Sequence, residues 1–395
     1  MRIDPRSSDL RSVRVALLTN FIPPYRIPLF RALKEKVRQF DILASTPMEA
    51  DRPWEPMWQE LSVTVQRTIT VTQRQPHSLG FNQLAPIHIP YDTLWRLARI
   101  RPDAIIAGEL GARTLQATLY RFCSSKTRIV IWATLSEVTE LARGRIRRLL
   151  RSFMLPRADA ILVNGTSGER YVRSFGVSEG RIFTAPQTTD MRGFLAIPLG
   201  RDKDCQRRIL YCGQLIERKG LQFFVRTLGH WAEQYPSEQV EFWLVGDGPL
   251  RTQLESSPTP TNLSLKFIGN VAYHELPAWY AQAGILALPT LADEWGLVVN
   301  EALASGVPVL GSVYSQAVEE LVRDGENGWT FRPERTGEMF AALGRALTTP
   351  EPRLNEMRAR ARRSIEHLTP EFVADRIADA IRFVLANAAP GRKSL

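Results

Sequence analysis

Short apolar runs alternate with amphipathic helical patterns along almost the whole chain, and this alternation restricts the fold more than any other feature. In the first half, the apolar run Val13–Thr19 is followed by residues 26–38, where apolar side chains recur at helical spacing. In the second half, Val240–Val245 and Leu265–Ile268 are apolar runs separated by turns and helical segments. Such alternation is typical of doubly wound parallel sheets. The chain has 395 residues, too many for one typical core, so we expect two α/β domains.

The expected boundary between the two domains lies in a segment without regular structure. Thr188–Gln206 is rich in turn-forming residues and has no hydrophobic periodicity, so we place the interdomain linker there. The prediction is a Rossmann-like acceptor-binding domain over residues 1–190 and a Rossmann-like donor domain over 205–368. Residues 369–395 contain a helical pattern that no strand follows. We expect this C-terminal helix to pack back on the first domain.

Residues 62–90 interrupt the simple alternation in the first half. We predict one strand over Ser62–Val71, because this run is rich in β-branched residues. A long loop is predicted over residues 72–90, which hold His77, Gly80 and three prolines. Such a loop at the edge of the sheet would suit a lid or an acceptor-recognition element.

Residues 141–156 predict a basic amphipathic helix. Its apolar face has Ile146, Leu149 and Leu150, and arginines surround that face. Helices of this type bind membrane surfaces. A helix that packs on the sheet and exposes its arginines to solvent gives the same pattern.

The composition excludes several classes of protein. A content of 44% hydrophobic and 23% charged residues is that of an ordinary globular protein. The charged N-terminus predicts neither a signal peptide nor a membrane span. The three cysteines, Cys123, Cys205 and Cys212, lack the spacing of metal ligands, so we expect reduced thiols, a cytoplasmic protein and no structural metal.

The net charge of +10 is concentrated in the first half of the chain. Residues 1–200 hold 29 Lys plus Arg against 17 Asp plus Glu, whereas the remainder holds 22 against 24. This asymmetry favours contact of the first domain with an anionic partner such as a membrane leaflet, although a solvated basic face would give the same count. Nucleic acid is not expected as a partner, because the first domain has no recognition motif or interleaved aromatic residues.

Residues 285–311 predict a strand, an acidic loop, a helix and a further strand. The helix is expected to begin near Trp295, with Gly296, Leu297 and Val298 in its first turn. Backbone N–H groups in the first turn of a helix lack intrahelical partners and form a site for anions such as phosphate. Asp293 precedes this helix and Glu301 lies two turns into it, so the two acids would meet different parts of one ligand.

Three other loops of the second half add to this expected ligand site. The loop Gly213–Gly220 carries Arg218 and Lys219 directly before a helix, where they could neutralise a diphosphate. The glycines at Gly246 and Gly269 would allow close backbone approach, although simple tight turns explain them equally well. Gln214 within the first loop and Val271, two residues after Gly269, are further candidates for donor binding.

Candidates for an acceptor site lie in the first half, near the expected carboxyl ends of strands. Tyr25 and Arg26 follow the proline-rich loop after the first strand, where open α/β sheets bind ligands. Glu109 and Glu137 follow two later strands and are the best-placed carboxylates. A rigid turn, a surface acid or a helix cap would explain these four residues as well.

Taken in order, these motifs resemble the family 4 glycosyltransferases, retaining enzymes of the GT-B fold that use nucleotide diphosphate sugars without a metal. The resemblance is densest over residues 208–333. It implies two Rossmann-like doubly wound parallel-sheet domains that face each other across a cleft. In that family two glutamates with seven residues between them bind the sugar hydroxyls and the ribose, which places Asp293 at the first position and Glu301 at the second. Lys219 matches the lysine of the family's diphosphate-binding pair.

The sequence departs from the family pattern at several positions. Asp293 stands where a glutamate is usual, and its neighbour Glu294 could share the contact with the sugar. Gln214 stands where an arginine is usual, and Arg218 could compensate. No histidine follows the strand Arg128–Trp132, where members often have one near the reacting carbon.

The resemblance predicts a metal-independent retaining hexosyltransferase with no cofactor beyond its nucleotide sugar. In this mechanism Lys219, Arg218 and the N–H groups of Gly296 and Leu297 stabilise the leaving diphosphate. The expected acceptor is a lipid-linked or surface-polysaccharide glycan, which implies polysaccharide biosynthesis at the inner face of a membrane. The alternatives are transfer to a small soluble sugar phosphate and a catalytically silent nucleotide-sugar-binding protein; the sequence does not indicate an oligomeric state.

Overall fold

The computed structural model describes residues 9–387, apart from 50, 51, 53, 142 and 143. Within this range the chain forms two compact units. Unit 1 contains the residues up to Gln75, Leu84–Thr189 and the residues from Leu368 onward. Unit 2 contains Pro76–Gln83 and Asp190–His367. The chain therefore passes into unit 2 at Asp190, within the segment that the sequence indicates as the linker.

Unit 1 is built on a parallel sheet whose strands are largely buried, which explains their nearly continuous apolar sequences. Its strands are β1 (Arg14–Thr19), β2 (Gln39–Ala44), β3 (Ser62–Val65), β4 (Thr68–Pro76), β5 (Asn82–Pro90), β6 (Ala104–Gly108), β7 (Arg128–Ala133), β8 (Ala160–Val163) and β9 (Ile182–Thr184). Seven of them form one sheet in the order β3-β2-β1-β6-β7-β8-β9. The reversal of direction at β1 makes this sheet doubly wound, as predicted.

Helices cover both faces of this sheet. They are α1 (Ile27–Lys36), α2 (Thr93–Ile100), α3 (Ala112–Cys123), α4 (Arg145–Met154) and α5 (Thr166–Arg173). Right-handed crossovers in opposite directions from β1 place α1 on one face and α2, α3 and α4 on the other.

The predicted single strand Ser62–Val71 and the loop over residues 72–90 are both wrong. The chain leaves the main sheet at Gln66, whose buried side-chain amide donates to the Thr93 hydroxyl at 2.7 Å. Residues 68–90 then form the two-stranded hairpin β4-β5. Proline is tolerated in such a ribbon because its outer edges need no ladder hydrogen bonds. The turn is closed by the His77 N–H, which donates to the Phe81 carbonyl at 2.9 Å.

The predicted basic helix is present as α4, but most of its apolar face does not pack on the sheet. Met154 is buried, whereas Ile146 and Leu149 are 78% and 71% exposed. Arg151 turns inward instead and pairs with the Glu140 carboxylate. Residues 142 and 143, which the sequence includes in this helix, lie outside the described residues.

Unit 2 contains a second parallel sheet with helices between its strands. Its strands are β10 (Arg208–Cys212), β11 (Val240–Val245), β12 (Leu263–Gly269), β13 (Ile285–Leu288), β14 (Val309–Ser312) and β15 (Gly328–Phe331). Its helices are α6 (Arg192–Leu195), α7 (Leu221–Gln234), α8 (Arg251–Glu255), α9 (Leu276–Ala281), α10 (Leu297–Ala304), α11 (Gln316–Leu321), α12 (Thr336–Thr348) and α13 (Glu351–Ile365). The strand order β12-β11-β10-β13-β14-β15 is again doubly wound, as predicted.

The last helix, α14 (Pro370–Ala386), returns to unit 1. Its apolar stripe, which includes Val373, Ile377 and Ile381, is fully buried. The helix packs against α1 and against β7, β8 and β9. Its Asp375 carboxylate also pairs with the Lys36 ammonium at 2.7 Å, so the predicted return of this helix to the first domain is confirmed.

Candidate active site

Two loops of unit 2 meet because the strands before them are neighbours. β10 and β13 pair in parallel, so the loops that follow them lie at the same carboxyl edge of the sheet. A side chain on Gly220, which has φ +68°, would place its Cβ 2.2 Å from the Pro289 carbonyl oxygen. The Leu291 N–H donates to the Arg218 carbonyl at 2.8 Å and fixes the two loops together. Glycine at position 220 therefore allows the contact on which the site depends.

Two cations of the first loop pair with two acids of the second. The Lys219 ammonium lies 2.5 Å from Asp293 Oδ2, and the Arg218 guanidinium lies 3.1 Å from Glu294 Oε2. Arg218 also lies 4.0 Å from Asp293 Oδ1. The Asp293 side chain is 9% exposed, whereas that of Glu294 is 39% exposed. The structure thus brings together all four residues that the sequence indicates for the sugar and the diphosphate, with Asp293 as the buried acid.

The ion pairs of this cluster stabilise the charged forms of its side chains. Burial opposes ionisation of Asp293, but Lys219 and Arg218 outweigh it and hold the pKa of this carboxyl below its usual value. Burial likewise opposes the charge of Arg218, and Glu294 and Asp293 raise its pKa above the usual value. The ion pairs therefore favour the charged forms of Asp293 and Arg218.

The helix that follows these acids begins two residues later than predicted. Gly296, at φ +103°, is the N-cap of α10, and the first helical residue is Leu297. Gly296, Leu297 and Val298 are partly exposed, whereas Trp295 and the rest of the helix from Val299 are buried. The helix is buried on nearly all sides rather than amphipathic. Its open end is the part with unpaired backbone N–H groups, which suits an anionic group.

Glu301 lies two turns into α10 and is 5% exposed. Its Oε2 accepts a hydrogen bond from the Tyr280 hydroxyl at 2.9 Å. Burial raises the pKa of Glu301 to about 7, and the Tyr280 hydrogen bond opposes this shift. The sequence gives no local signal for Tyr280, because it lies on α9 and reaches Glu301 only through the fold.

The other indicated loops lie along the same edge of unit 2. The Gly213 N–H donates to the Val245 carbonyl at 2.9 Å, and the Gly246 N–H donates to the Gly269 carbonyl at 2.7 Å. A Cβ on Gly246 would lie 2.1 Å from the Gly213 carbonyl oxygen. The glycines therefore let the loops after β10, β11 and β12 pack against one another.

Two of the remaining donor-side candidates flank these packed loops. The Gln214 carbonyl accepts from the Tyr211 hydroxyl at 2.7 Å. Val271 is half-buried two residues beyond β12.

In unit 1, Glu109 is the centre of a hydrogen-bonded network at the carboxyl ends of β1, β2 and β6. The buried Arg113 guanidinium donates to Glu109 Oε2 at 2.9 Å and to the Ser45 hydroxyl at 3.0 Å. Arg113 also donates to Asn20 Oδ1, and the Asn20 amide donates to both Glu109 oxygens at 3.0 Å. Glu109 has φ +65°, a left-handed conformation that is costly for a residue with a side chain. Its carboxylate is 52% exposed, so the network holds it towards solvent.

Arg113 and Asn20 were missed as members of a site by sequence reasoning. The only signal for the arginine is its position four residues after Glu109 on the helix that follows. Burial lowers the pKa of Arg113, and Glu109 opposes this shift.

The other acceptor-side candidates lie along the same edge of unit 1 but in separate contacts. Tyr25 packs edge-on against Trp54, with ring centroids 6.1 Å apart. The Arg26 guanidinium lies 4.8 Å above the Trp132 ring, and Trp132 accepts the Glu109 N–H at its carbonyl. Glu137 pairs with Arg170 at 2.7 Å on α5. The structure therefore connects Arg26 with Glu109 through Trp132, whereas Glu137 forms its own ion pair.

Other features of the described residues bear on the kinds of ligand. No group of three or more His, Cys, Asp or Glu side chains there is arranged to hold a metal ion. Cys123, Cys205 and Cys212 are free thiols. None of the helices in the described part combines the length and the apolar composition that crossing a bilayer requires.

Comparison with known families bears on unit 2 most directly. Residues 206–349 match the family model described as glycosyl transferases group 1. This part of the chain is similar to group 1 glycosyltransferases, and we call it the group 1 domain. The match covers the strands from β10 to β15 and the two loops that carry Arg218, Lys219, Asp293 and Glu294.

The relatives of the group 1 domain are glycosyltransferases of moderate sequence identity. An alpha-D-kanosaminyltransferase of Streptomyces kanamyceticus is 26% identical over 147 residues, which are 37% of each chain. The GalNAc-alpha-(1->4)-GalNAc-alpha-(1->3)-diNAcBac-PP-undecaprenol alpha-1,4-N-acetyl-D-galactosaminyltransferase of Campylobacter jejuni is 25% identical over 186 residues, 47% of this chain and 50% of that protein. The chain thus matches half or less of the length of these relatives.

Solved structures extend the similarity of fold beyond the group 1 domain. HepE of Anabaena in complex with UDP aligns with a TM-score of 0.67 at 15% identity, over 93% of this chain and 99% of that one. The lipopolysaccharide outer core galactosyltransferase WaaB in its apo form aligns with a TM-score of 0.70 at 14% identity and the same coverage. The predicted GT-B class, with two Rossmann-like parallel-sheet domains, is confirmed.

Proposed function

We propose that the chain is a metal-independent retaining glycosyltransferase that moves a sugar from a nucleotide diphosphate sugar to a glycan or lipid-linked acceptor. The observation that carries the proposal is the cluster of Arg218, Lys219, Asp293 and Glu294 beside the open end of α10. A diphosphate sugar has the two features that such a site can bind, an anionic bridge and a ring of hydroxyl donors.

The two cations and the N-terminal end of α10 both stabilise the leaving diphosphate. Negative charge grows on the diphosphate as the bond between the sugar and its phosphate oxygen breaks. Lys219, Arg218 and the N–H groups of Gly296 and Leu297 are fixed before the reaction and stabilise that charge electrostatically. Two protein cations supply the positive charge that a divalent metal would otherwise bring to the diphosphate.

The acids bind the two ends of the donor. Asp293 and Glu294 have carboxylates that accept from sugar hydroxyls, and Glu301 accepts from the ribose. Gly213, Gln214, Gly246, Val298 and Val271 line the rest of the donor path. In a retaining transfer the acceptor oxygen attacks on the face from which the diphosphate leaves, and the leaving phosphate oxygen takes the acceptor's proton. No protein base is then required, which accommodates the absence of a histidine after β7.

The acceptor side of the proposal rests on unit 1. Glu109 is held towards solvent by Arg113 and Asn20, and it can accept from an acceptor hydroxyl. Tyr25, Arg26 and Glu137 are further acceptor-side residues. The relative from Campylobacter jejuni carries PP-undecaprenol in its name, which supports a lipid-linked acceptor and a position at the membrane surface.

Thermal shift with uridine, guanosine and adenosine diphosphate sugars is the first test. A donor that binds only the folded protein raises the unfolding midpoint, and we expect one nucleotide to do so. Transfer from that donor should continue in the presence of EDTA, and NMR of the product should show the anomeric configuration of the donor. Inversion, or loss of transfer restored by a divalent cation, would contradict the mechanism.

The variant Lys219→Ala tests the cluster itself. We expect transfer to fall by about a hundredfold or more, because one fixed charge on the leaving group is lost. The matched control is Lys266→Ala, which removes another lysine of unit 2 that pairs with Glu241 at 2.7 Å. Equal transfer activity of the two variants would show that Lys219 is not part of the donor site. Donor binding and slow hydrolysis without transfer to any glycan, lipid-linked acceptor or sugar phosphate would favour a silent nucleotide-sugar-binding protein.

A further inference from the structure

Three neighbouring helices of unit 1 expose large apolar side chains on their outer side. We call this surface the α2–α4 face and define it by Leu94, Trp95, Leu119, Phe122, Ile146 and Leu149, all of which are exposed. Phe122 and Ile146 are 72% and 78% exposed, so these side chains contribute little to the core of unit 1. Exposed apolar groups that lie together usually mark a binding surface.

The three helices lie side by side. α3 contacts both α2 and α4, and the right-handed crossovers place all three on the same side of the sheet. α14 packs with α1 on the opposite side. The exposed apolar side chains therefore lie on three adjacent helices on one side of the sheet.

The inward packing of Arg151 explains the orientation of α4. Arg151 is buried, pairs with the Glu140 carboxylate and donates to the Tyr171 hydroxyl. This buried network fixes the side of the helix that faces the protein. Ile146 and Leu149 consequently point outward, although burying them would otherwise stabilise the fold.

The charge of the three helices has one sign. α2, α3 and α4 contain eight arginines and no aspartate or glutamate. Four of these arginines pair with acids that lie outside the helices, namely Arg96, Arg113, Arg121 and Arg151. Arg99, Arg145 and Arg148 are exposed, and the Arg99 guanidinium lies 3.9 Å from the centre of the Trp95 ring. Exposed apolar and aromatic side chains interspersed with exposed arginines are what an anionic lipid surface binds.

We propose that the α2–α4 face binds an anionic bilayer, with Phe122, Ile146 and Leu149 inserted at the interface and the arginines on the lipid headgroups. A second copy of the chain is less suitable, because two such faces would bring like charges together. The inference deepens the membrane association in the proposed function and rests on it for its purpose. Lipid binding needs no turnover, so either proposal can fail without the other.

Vesicle flotation with the full chain tests the inference. We expect the protein to float with vesicles of phosphatidylglycerol and phosphatidylcholine, to float much less with phosphatidylcholine alone, and to be released by salt. The variant Ile146→Ser/Leu149→Ser should weaken binding by about tenfold or more, and Arg145→Ala/Arg148→Ala by a similar factor. Transfer to a soluble acceptor without lipid should be retained in both variants.

Matched controls come from outside this face. Phe372→Ser removes an exposed aromatic side chain from α14, and Arg360→Ala/Arg363→Ala removes two arginines from α13. Both should float like the unmodified chain, and unchanged unfolding midpoints should verify the fold of every variant. The inference is overturned if the unmodified chain does not float with anionic vesicles, if the α4 variants float equally well, or if light scattering shows a dimer that these variants dissociate.

Discussion

The charged clusters of the two units have opposite arrangements. In the ion-pair cluster of unit 2 the buried group is the Asp293 carboxylate, which holds the Lys219 ammonium at 2.5 Å. In unit 1 the buried group is the Arg113 guanidinium, and the Glu109 carboxylate that it holds is half exposed. Acids thus position cations in unit 2, whereas a cation positions an acid in unit 1. This difference matches the chemistry proposed for each, since a diphosphate needs fixed positive charge and an acceptor hydroxyl needs a hydrogen-bond acceptor.

The largest effect is expected from breaking the buried pair of unit 2. Asp293→Asn leaves Lys219 without its counter-ion in a poorly solvated position, so we expect a loss of about 3 kcal/mol in the free energy of unfolding. Transfer should fall by about a hundredfold or more, because Lys219 is no longer held. Urea unfolding and initial rates measure the two effects.

Glu294→Gln is the matched variant for this comparison. Its carboxylate is 39% exposed and pairs with Arg218, so solvent screening limits the stability loss to less than about 1 kcal/mol. A loss of stability equal to that of Asp293→Asn would show that the two acids are equivalent and that burial does not distinguish them.

Glu301 gives the stability of unit 2 a dependence on pH. The pKa of Glu301 is about 7 in the folded chain, whereas the ordinary pKa of a glutamate, which applies in the unfolded chain, is 4.5. The folded state therefore binds more protons between these values, and the free energy of unfolding falls as pH rises, by about 3 kcal/mol in total. Urea unfolding at pH 5 and pH 8 measures this fall.

Glu301→Gln should remove most of this pH dependence, because the amide resembles the protonated acid and still accepts from Tyr280. Transfer should nevertheless decrease, since the ribose loses a carboxylate acceptor. Glu255→Gln, which changes a half-exposed acid in α8, should leave the pH dependence in place. If the free energy of unfolding of Glu301→Gln still fell with pH as in the unmodified chain, another group would be responsible for the pH dependence.

The two left-handed residues of unit 1 should give smaller effects than the buried pair of unit 2. Arg101 and Glu109 have φ of +50° and +65°, and glycine relieves the backbone strain at both. Arg101→Gly should stabilise the chain by up to about 1 kcal/mol, because Arg101 only ends α2. Glu109→Gly should instead destabilise it by about 1–2 kcal/mol, because Arg113 loses its charged partner.

Thermal unfolding measures both changes, and only Glu109→Gly should reduce transfer while donor affinity is kept. If both variants stabilised the chain and transferred normally, the Glu109 network would have no part in holding the acceptor.

Sequence reasoning reached the donor loops because their chemistry is local. Arg218 and Lys219 are adjacent, Asp293 and Glu294 are adjacent, and each pair follows an apolar strand. Parallel strands place such loops on one edge of the sheet, so the fold class was sufficient to bring them together.

The rest of the site depends on contacts between residues far apart in the chain. Asn20 reaches Glu109 across 89 positions, and Tyr280 reaches Glu301 from another helix. The orientation of α4 could not be predicted from the sequence either, because the pattern predicts that leucine packs inward and arginine faces solvent. Arg151 faces inward because it pairs with Glu140 and donates to the Tyr171 hydroxyl.

The position of α14 sets the order in which the chain can complete its folding during synthesis. Unit 1 begins to emerge from the ribosome first, yet the buried stripe of Val373, Ile377 and Ile381 emerges after residues 190–367 of unit 2. Domains generally fold in the order of their synthesis. Unit 1 therefore starts to fold first but is completed last. Until α14 is synthesised, the apolar surfaces of α1, β7 and β8 that it covers remain exposed and available to a nascent-chain chaperone.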